Sequence, residues 1–278
     1  MLFRSLATVA DVVPLLDENR ILVRHGLTCL RERPPLGLSQ LLTETGLIKK
    51  SSLQSEDLAF TLAPRLNAAG RLGQAPMGVE LLVTDSEERA GILAQYLQEL
   101  NQHRDSLERS VYLAAQKQAN ENYDPQADPA LVLAGRGWHV GVIGIVAGRL
   151  ADKYHRPVVV VAQHELGVQP GTGSGRGAGV LNLSQAFAHC QEHLISHGGH
   201  AAAAGLRLHD KNLELFRTAF CEYATEHITE ENRIATVCID AETSLGGLNL
   251  NVVNQIERLA PFGRSEERRV GKECRSRW

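Results

Sequence analysis

Residues 131–162 read LVLAGRGWHVGVIGIVAGRLADKYHRPVVVVA and contain the pattern that decides the fold class. Two short apolar runs, 131–134 and 157–162, flank a segment at 141–154 in which apolar residues recur every three or four positions. The runs predict buried strands, and the segment between them predicts a helix. Because such a crossover joins parallel strands with a right-handed connection, we predict a βαβ unit and an α/β fold.

The loop between the first predicted strand and the helix is a candidate ligand site, since ligands of open α/β sheets gather beyond the carboxyl ends of strands. It contains Trp138 and His139 among glycines. Either ring could stack on a substrate or orient it, and local packing of the loop is the alternative. The glycine order is not G-x-G-x-x-G, which argues against a dinucleotide-binding fold.

A glycine-rich stretch follows at 171–177, with the sequence GTGSGRG. It places Ser174, Gly175 and Arg176 in what we predict to be a loop. Arginine binds phosphate with two parallel hydrogen bonds, and successive backbone amides can converge on an anion. The stretch therefore predicts a phosphate site.

A second glycine-rich stretch, 196–206, reads SHGGHAAAAGL. Gly198, Gly199 and His200 predict a tight turn, and the alanines after them predict a helix whose first amides are free to meet an anion. The alternative is close helix packing around a core histidine.

Two upstream stretches contain further candidates. The apolar run 6–15 includes one carboxylate, Asp11. A buried aspartate is costly unless it is paired or bound to a cation, so Asp11 is either a turn residue or a metal ligand at a strand end. Residues 64–71, PRLNAAGR, place Arg65 and Arg71 beside small residues. These arginines belong either to a solvated loop or to a phosphate-binding surface.

Composition limits the class of protein. The 278 residues allow about two domains, and 43% hydrophobic with 22% charged residues argues against disorder. A net charge of −3 provides no global basic field, so any polyanion site must be local.

The five cysteines include no C-x-x-C pair, which predicts a reduced, cytoplasmic protein without structural zinc or disulfides. The sequence contains no apolar run of transmembrane length and no signal peptide.

Both ends of the chain look foreign to the fold. Residues 264–278 match the translation of a common sequencing adapter in one frame, and residues 2–5 fit the other adapter end. A genuine basic tail that binds nucleic acid is the alternative. We therefore expect 1–5 and 264–278 to be adapter-like artefacts without ordered structure. Without the charged residues of these ends, the net charge falls from −3 to −7.

Five strings of the chain together resemble the DHH phosphoesterases that carry a DHHA1 substrate-binding domain, and within them the RecJ single-strand exonucleases. The strings occur in the family's order and span nearly all of residues 6–263: TVADVVPL at 8–15, PRLNAAGR at 64–71, WHVGVIGIVA at 138–147, GSGR at 173–176 and GGHAAAAG at 198–205.

The resemblance implies a 5′-to-3′ exonuclease that hydrolyses single-stranded DNA in recombination and repair, with two divalent metal ions (Mn or Mg) in the intact enzyme. It implies that Asp11 binds metal, that Ser174 and Arg176 hold the 5′ phosphate, and that the catalytic candidate His200 lies near the scissile phosphate as a donor. The remaining implied contacts to phosphate or DNA are Gly175, Arg71, Arg65, His139, Gly198 and Gly199. Single-stranded DNA is the implied partner of a cytoplasmic monomer, with a single-strand-binding protein or a helicase as further partners of the parent protein.

The resemblance also implies a domain order along the chain. A C-terminal remnant of a DHH domain is followed by a long linking helix and a DHHA1 domain with a βαβ core. The predicted boundaries are 6–84 for the DHH part, 85–125 for the helix, 126–230 for the DHHA1 domain and 231–263 for the segment that leads to an OB-fold.

This chain departs from the family pattern in two ways. It lacks the Asp-x-Asp and Asp-His-His motifs that supply most metal ligands, so we expect the chain by itself to be inactive. Gly177 stands where the family often has serine. Two alternatives remain open: a DHH/DHHA1 phosphodiesterase of oligonucleotides or cyclic dinucleotides, and a non-catalytic DHHA1 module that binds nucleic acid.

Overall fold

The computed structural model describes residues 2–124, 128–229, 234, 239 and 241–263. The described residues divide into two compact units, one from Met1–His103 with Ile239–Trp278 and the other from Arg104–Cys238. The artefact predicted at 264–278 lies outside the described residues, as do 125–127 and most of 230–240. None of the described helices has both the length and the hydropathy needed to cross a lipid bilayer.

Helices dominate the first unit and flank a sheet in the second. The α-helices are α1 (Leu2–Ala10), α2 (Asp17–Glu32), α3 (Leu36–Glu44), α4 (Ser55–Asp57), α5 (Ala63–Arg71), α6 (Ala75–Val83), α7 (Glu87–Asn122), α8 (Val140–Tyr154), α9 (Leu183–His189), α10 (Leu213–His227) and α11 (Leu250–Glu257). A π-helical turn, Leu58–Leu62, joins α4 to α5. The strands are β1 (Leu131–Arg136), β2 (Val158–Gln163), β3 (Gly171–Arg176), β4 (Ser196–Gly199) and β5 (Ala203–Leu208).

A leucine-rich core holds the first unit together. Leu38 and Leu41 of α3 are fully buried and pack with Leu81 of α6 and Leu93 of α7. These side chains recur at helical spacing, so each helix turns one apolar stripe inward. Burial of each large side chain contributes about 1.5–3 kcal/mol.

The N-terminal run differs from its predicted structure, because it forms helix α1 instead of ending a strand. Leu6 and Val9 are buried, and Leu2 packs against the same core, so the apolar residues repeat at intervals of four and three. Ser5, assigned above to a foreign end without ordered structure, is buried, and its Oγ donates to the Leu22 carbonyl at 2.6 Å. The expected disorder of residues 2–5 is therefore wrong.

The second unit contains a five-stranded sheet in the order β1-β2-β3-β5-β4. β1 and β2 are parallel and are connected through α8, as the sequence predicted, and the other pairs are antiparallel. Helices pack against both faces of β2. Val158 and Val160 of β2 face α8 and the second half of α7, whereas Val159 and Val161 face α9 and α10.

The first glycine-rich stretch is a strand and not the predicted loop. Residues 171–176 form β3, in which Gly173 and Gly175 lie on the buried face. A Cβ at Gly173 would stand 2.7 Å from Leu206 Cδ1, and one at Gly175 would stand 2.9 Å from Phe187 Cζ. These glycines therefore admit large neighbours to the strand, instead of giving a loop its flexibility.

The second glycine-rich stretch is a β-hairpin and not a turn that leads into a helix. β4 and β5 pair antiparallel through Gly198–Gly205 and Gly199–Ala204. Along β5, Ala204 and Leu206 are buried, whereas Gly205 is exposed. This period of two is typical of a strand with one buried face, and it explains why four consecutive alanines do not form a helix here.

Candidate functional site

Ser174 and Arg176 lie together on one face of β3. They alternate with the buried glycines, so both side chains point away from Phe187 and toward α8. Arg176 Nη1 donates to Ser174 Oγ at 3.1 Å and to the Gly175 carbonyl at 2.7 Å. The structure thus brings together the two side chains that the sequence selected for phosphate binding, although on a strand.

Helix α8 lies against this pair through glycines. A Cβ at Gly144 would stand 3.1 Å from both Arg176 Nη2 and Ser174 Oγ, and a Cβ at Gly148 would stand 3.9 Å from Arg176 Cγ. The arginine side chain therefore extends along α8 over two positions without side chains. Sequence reasoning did not single out Gly144, although its four-residue spacing from Gly148 is a sign of close packing on one helix face.

His139 is the N-cap of α8. Its Nδ1 accepts a hydrogen bond from the Gly141 amide at 3.0 Å. An accepting Nδ1 leaves the proton of a neutral imidazole on Nε2, which can donate to an anion. Trp138 packs locally instead. Its ring lies against the backbone of Gly135, where a Cβ would stand only 2.2 Å from Trp138 Cε2.

The hairpin places Gly198, Gly199 and His200 at an exposed edge of the same sheet. Gly199 has φ +140°, and a Cβ there would stand 2.5 Å from the Ala203 carbonyl, so the position requires glycine. The His200 amide donates to that carbonyl at 2.8 Å, and its side chain is exposed. Ala203 pairs with Arg176, so the hairpin turn lies beside the arginine end of β3.

Gly177, the departure from the family pattern, is packed against backbone. A Cβ at this position would stand 2.4 Å from the Leu181 carbonyl. The Gly177 amide donates to Ala202 at 3.1 Å, which ties the end of β3 to the hairpin turn. In this chain a serine could not be accommodated here without moving the backbone.

In the first unit, Asp11 and Arg71 line one open cavity of 480 Å³ together with Asn67 and Gly70. Asp11 is exposed in the turn after α1 and does not lie at a strand end. Arg71 is the last residue of α5, so its stretch is a helix and not a solvated loop.

Arg65 lies on the same helix but is engaged within the unit. Its Nε donates to Gln98 Oε1 at 2.6 Å, and its Nη1 donates to the Thr61 carbonyl at 2.5 Å. The guanidinium therefore joins α5 to α7. The structure assembles Asp11 with Arg71, and it does not place Arg65 among the residues that line their cavity.

The carboxylates do not fit a two-metal site. Within the described ranges, no group of three His, Cys, Asp or Glu side chains is close enough to hold a metal ion. Asp11 is the one carboxylate that lines the cavity it shares with Arg71. Two divalent ions require several oxygen or imidazole ligands, so we derive no chemical step through metal from these residues.

Two thiols of the second unit, that of buried Cys190 and that of half-buried Cys221, are poor nucleophiles. Burial raises the pKa of Cys190 to about 12 and that of Cys221 to about 11. Burial also raises the pKa of the Tyr123 hydroxyl to about 12. Because the thiolate is the reactive form of cysteine, these groups stay protonated at neutral pH and take no part in the candidate site.

Comparison with known proteins agrees with this arrangement. The model of the DHHA1 domain matches residues 127–226. The single-stranded-DNA-specific exonuclease RecJ of Bacillus subtilis is 34% identical over 260 residues, which are 93% of this chain and 32% of that protein. The RecJ of Haemophilus influenzae is 35% identical over 266 residues, 93% of this chain and 46% of that protein. The chain thus spans 32% and 46% of the lengths of these two curated relatives.

Solved structures show the same similarity. RecJ from Thermus thermophilus, crystallised in complex with Mg²⁺, superposes with a TM-score of 0.81 at 31% identity, and the match covers 93% of this chain and 39% of that one. An exonuclease RecJ bound to manganese superposes with a TM-score of 0.67 at 33% identity, over 80% of this chain and 53% of its own. The chain is therefore similar to a segment of the RecJ exonucleases, and its residues 127–226 match the DHHA1 domain.

Proposed function

We propose that this chain is the DNA-binding part of an exonuclease that hydrolyses the phosphodiester bonds of single-stranded DNA from the 5′ end, in recombination and repair. One observation supports the proposal most directly: Arg176 and Ser174 are joined by a 3.1 Å hydrogen bond on a strand face that α8 approaches at Gly144 and Gly148. The curated relatives that share this segment are named single-stranded-DNA-specific exonucleases.

The Arg176–Ser174 pair suits a terminal phosphate better than an internal one. A guanidinium can make two parallel hydrogen bonds to phosphate oxygens, and a terminal phosphate has one more charged oxygen than a diester. We propose that Ser174 adds a hydroxyl contact and that His139 donates from Nε2. The Gly175 carbonyl acts indirectly, because it accepts from Arg176 Nη1 at 2.7 Å and so helps to hold the guanidinium. The exposed backbone of Gly198 and Gly199 would let the DNA strand approach closely. We propose that His200 acts as a hydrogen-bond donor near the scissile phosphate.

In the first unit, Arg71 is proposed to bind an internal phosphate. It is exposed and lines an open cavity with Asn67. Arg65 acts there indirectly, because its hydrogen bonds to Gln98 and Thr61 hold the helix that carries Arg71. Asp11, in the same cavity, is proposed as one ligand of a metal site whose other ligands belong to parts of the parent protein that this chain lacks.

The intact enzyme is proposed to use two divalent ions, manganese or magnesium, which activate water and stabilise charge on the reacting phosphate. The relatives of known structure bind Mg²⁺ or manganese. Single-stranded DNA is the proposed partner of a cytoplasmic monomer, with a single-strand-binding protein or a helicase as further partners of the parent. The domain boundaries given above, at 84, 125, 230 and 263, remain our proposal for the parent protein.

A binding experiment with both kinds of DNA end tests this function. The 278-residue chain is titrated with fluorescent single-stranded oligonucleotides that carry either a 5′ phosphate or a 5′ hydroxyl. Arg176→Ala should weaken binding of the phosphorylated end by about 1.5–3 kcal/mol and leave the hydroxyl end nearly unchanged. Arg71→Ala is the matched control, since loss of an internal contact should weaken both oligonucleotides alike.

Two results would contradict the proposal. A wild-type chain that binds neither oligonucleotide would reject DNA binding by this segment. Equal losses on both ends for Arg176→Ala would reject the assignment of the 5′ phosphate to β3.

A further inference from the structure

One face of the sheet is left open beside the Arg176–Ser174 pair. Ser174 is directly opposite Gly205 of β5, and Gly205 is directly opposite Gly198 of β4. Residues opposite one another point to the same face, as do alternate residues along each strand. Gly205 and Gly198 are both exposed, so the floor of this face consists of backbone without side chains.

Arg207 stands on the same open face. It follows Gly205 by two residues on β5 and is opposite Thr172 of β3 and Ser196 of β4. Its neighbours along the strand, Leu206 and Leu208, are buried on the other face, which confirms the alternation. The side chain of Arg207 is exposed and makes no ion pair or hydrogen bond with any residue that the structure describes.

The charge of this face is opposite to that of the chain. Its positions in the three strands are Thr172, Ser174, Arg176, Ser196, Gly198, Ala203, Gly205 and Arg207. Two of these residues are arginines and none is acidic, although the chain has a net charge of −3. A local positive surface on an acidic protein is a place where a polyanion can bind.

We propose that Arg207 binds an internal phosphate of single-stranded DNA, so that the DNA strand crosses β3, β5 and β4 over Gly205. This inference rests on the proposed function, because it takes the Arg176–Ser174 pair as the site of the terminal phosphate. The diagonal from Ser174 to Arg207 is about 7–8 Å between Cα atoms in an antiparallel pair. Gly205 adds no side chain between them, and a Cβ at Gly205 would meet only the Gly173 carbonyl, at 3.7 Å.

The test compares ligands with one phosphate and with several. The 278-residue chain and its Arg207→Gln variant are titrated with thymidine 5′-monophosphate and with a 5′-phosphorylated tetrathymidylate over a series of salt concentrations. Arg207→Gln should leave the mononucleotide affinity unchanged and should weaken the tetranucleotide about fivefold at low salt. The dependence of log K on log salt should become shallower by about 0.7, the value of one phosphate contact on a single strand.

Two further variants serve as controls. Arg207→Lys retains the charge and should preserve the salt dependence. Lys117→Gln removes an exposed charge from α7, which packs against β1 at the opposite edge of the sheet, and should change neither affinity.

The outcomes separate this inference from the proposed function. If Arg207→Gln binds the tetranucleotide as the wild type does, the second contact is wrong and the terminal site stands. If the variant loses mononucleotide binding to the same extent, Arg207 belongs to the terminal site and the proposed path is wrong. A wild-type chain that binds neither ligand would overturn both proposals.

Discussion

At the scale of single residues, glycine has three different roles in this chain. Gly173 and Gly175 make room for Leu206 and Phe187 on the buried face of β3, Gly205 leaves the opposite face open, and Gly144 makes room for the guanidinium of Arg176. The sequence had predicted that Gly173 and Gly175 give flexibility to a loop. Their contacts show that the missing side chain is needed for packing, so each glycine must be judged by what a Cβ would meet.

Gly144→Ala should weaken the binding of a 5′ phosphate without lowering the stability of the fold. Alanine in a helix interior stabilises by up to about 1 kcal/mol relative to glycine, but a Cβ here would stand 3.1 Å from Arg176 Nη2 and Ser174 Oγ. We expect an unchanged or higher melting temperature and a smaller preference for a 5′ phosphate over a 5′ hydroxyl, measured by titration with the two oligonucleotides.

Gly148→Ala is the matched control, because its Cβ would stand at an ordinary 3.9 Å from Arg176 Cγ. It should gain the same helix stability and keep the end preference. An unchanged preference in Gly144→Ala would show that the guanidinium does not depend on this glycine.

At the scale of elements, one buried carboxylate connects α7 to α8. Glu108 accepts from Arg104 Nη1 at 2.8 Å on its own helix and from Arg149 Nη1 at 2.9 Å on α8. The Arg149 guanidinium also lies 4.2 Å from the centre of the Tyr112 ring. α8 therefore has a polar attachment to α7 in addition to the apolar contacts of Val111 and Ala115.

Glu108→Ala should destabilise the second unit by about 2–3 kcal/mol, because it leaves two guanidinium groups without their shared partner. This loss of stability is smaller than for a fully buried ion pair, because the Arg149 side chain is half exposed. Hydrogen exchange of peptides from α8 measures the change in that unit alone. Glu121→Ala is the control, because it removes an exposed partner of Lys117. It should change the protection of these peptides against hydrogen exchange by less than about 0.5 kcal/mol. Equal effects of the two variants would show that Glu108 does not attach α8 to α7.

At the scale of the whole molecule, the candidate residues fall into two groups on separate units. Asp11 and Arg71 belong to the helical unit, and Ser174, Arg176 and His200 belong to the unit with the sheet. Each unit has its own apolar core. Candidate phosphate-binding side chains are thus present in both units, whereas clustered metal ligands are present in neither of their described parts.

The 278-residue chain should release no nucleotides from labelled single-stranded DNA in the presence of Mn²⁺, because one carboxylate cannot hold the ions that such hydrolysis requires. The measurement is a time course on denaturing gels. Asp11→Ala, purified in parallel, identifies contamination, since any nuclease that persists in the variant is foreign. Manganese-dependent release that disappears in Asp11→Ala would contradict this prediction.

The sequence by itself determined the elements with a strong local pattern. The α/β class and the parallel βαβ unit follow from two short apolar runs on either side of a segment with helical spacing. The long helix expected at 85–125 is observed as α7. Such elements are predictable because each amphipathic face is encoded within its own residues.

Only the tertiary structure decided the glycine-rich and alanine-rich stretches. Glycine has no side chain and so contributes no periodicity, and its conformation at 171–177 and 196–206 depends on strands that are distant in the chain. The candidate phosphate site also depends on the tertiary structure. Arg176 meets Ser174 because β3 is extended, and Gly205 leaves space beside Arg207 because β5 pairs with β3 in one register. β3 and β5 are distant in the sequence, and only their pairing brings Arg207 to the same face of the sheet as Ser174 and Arg176.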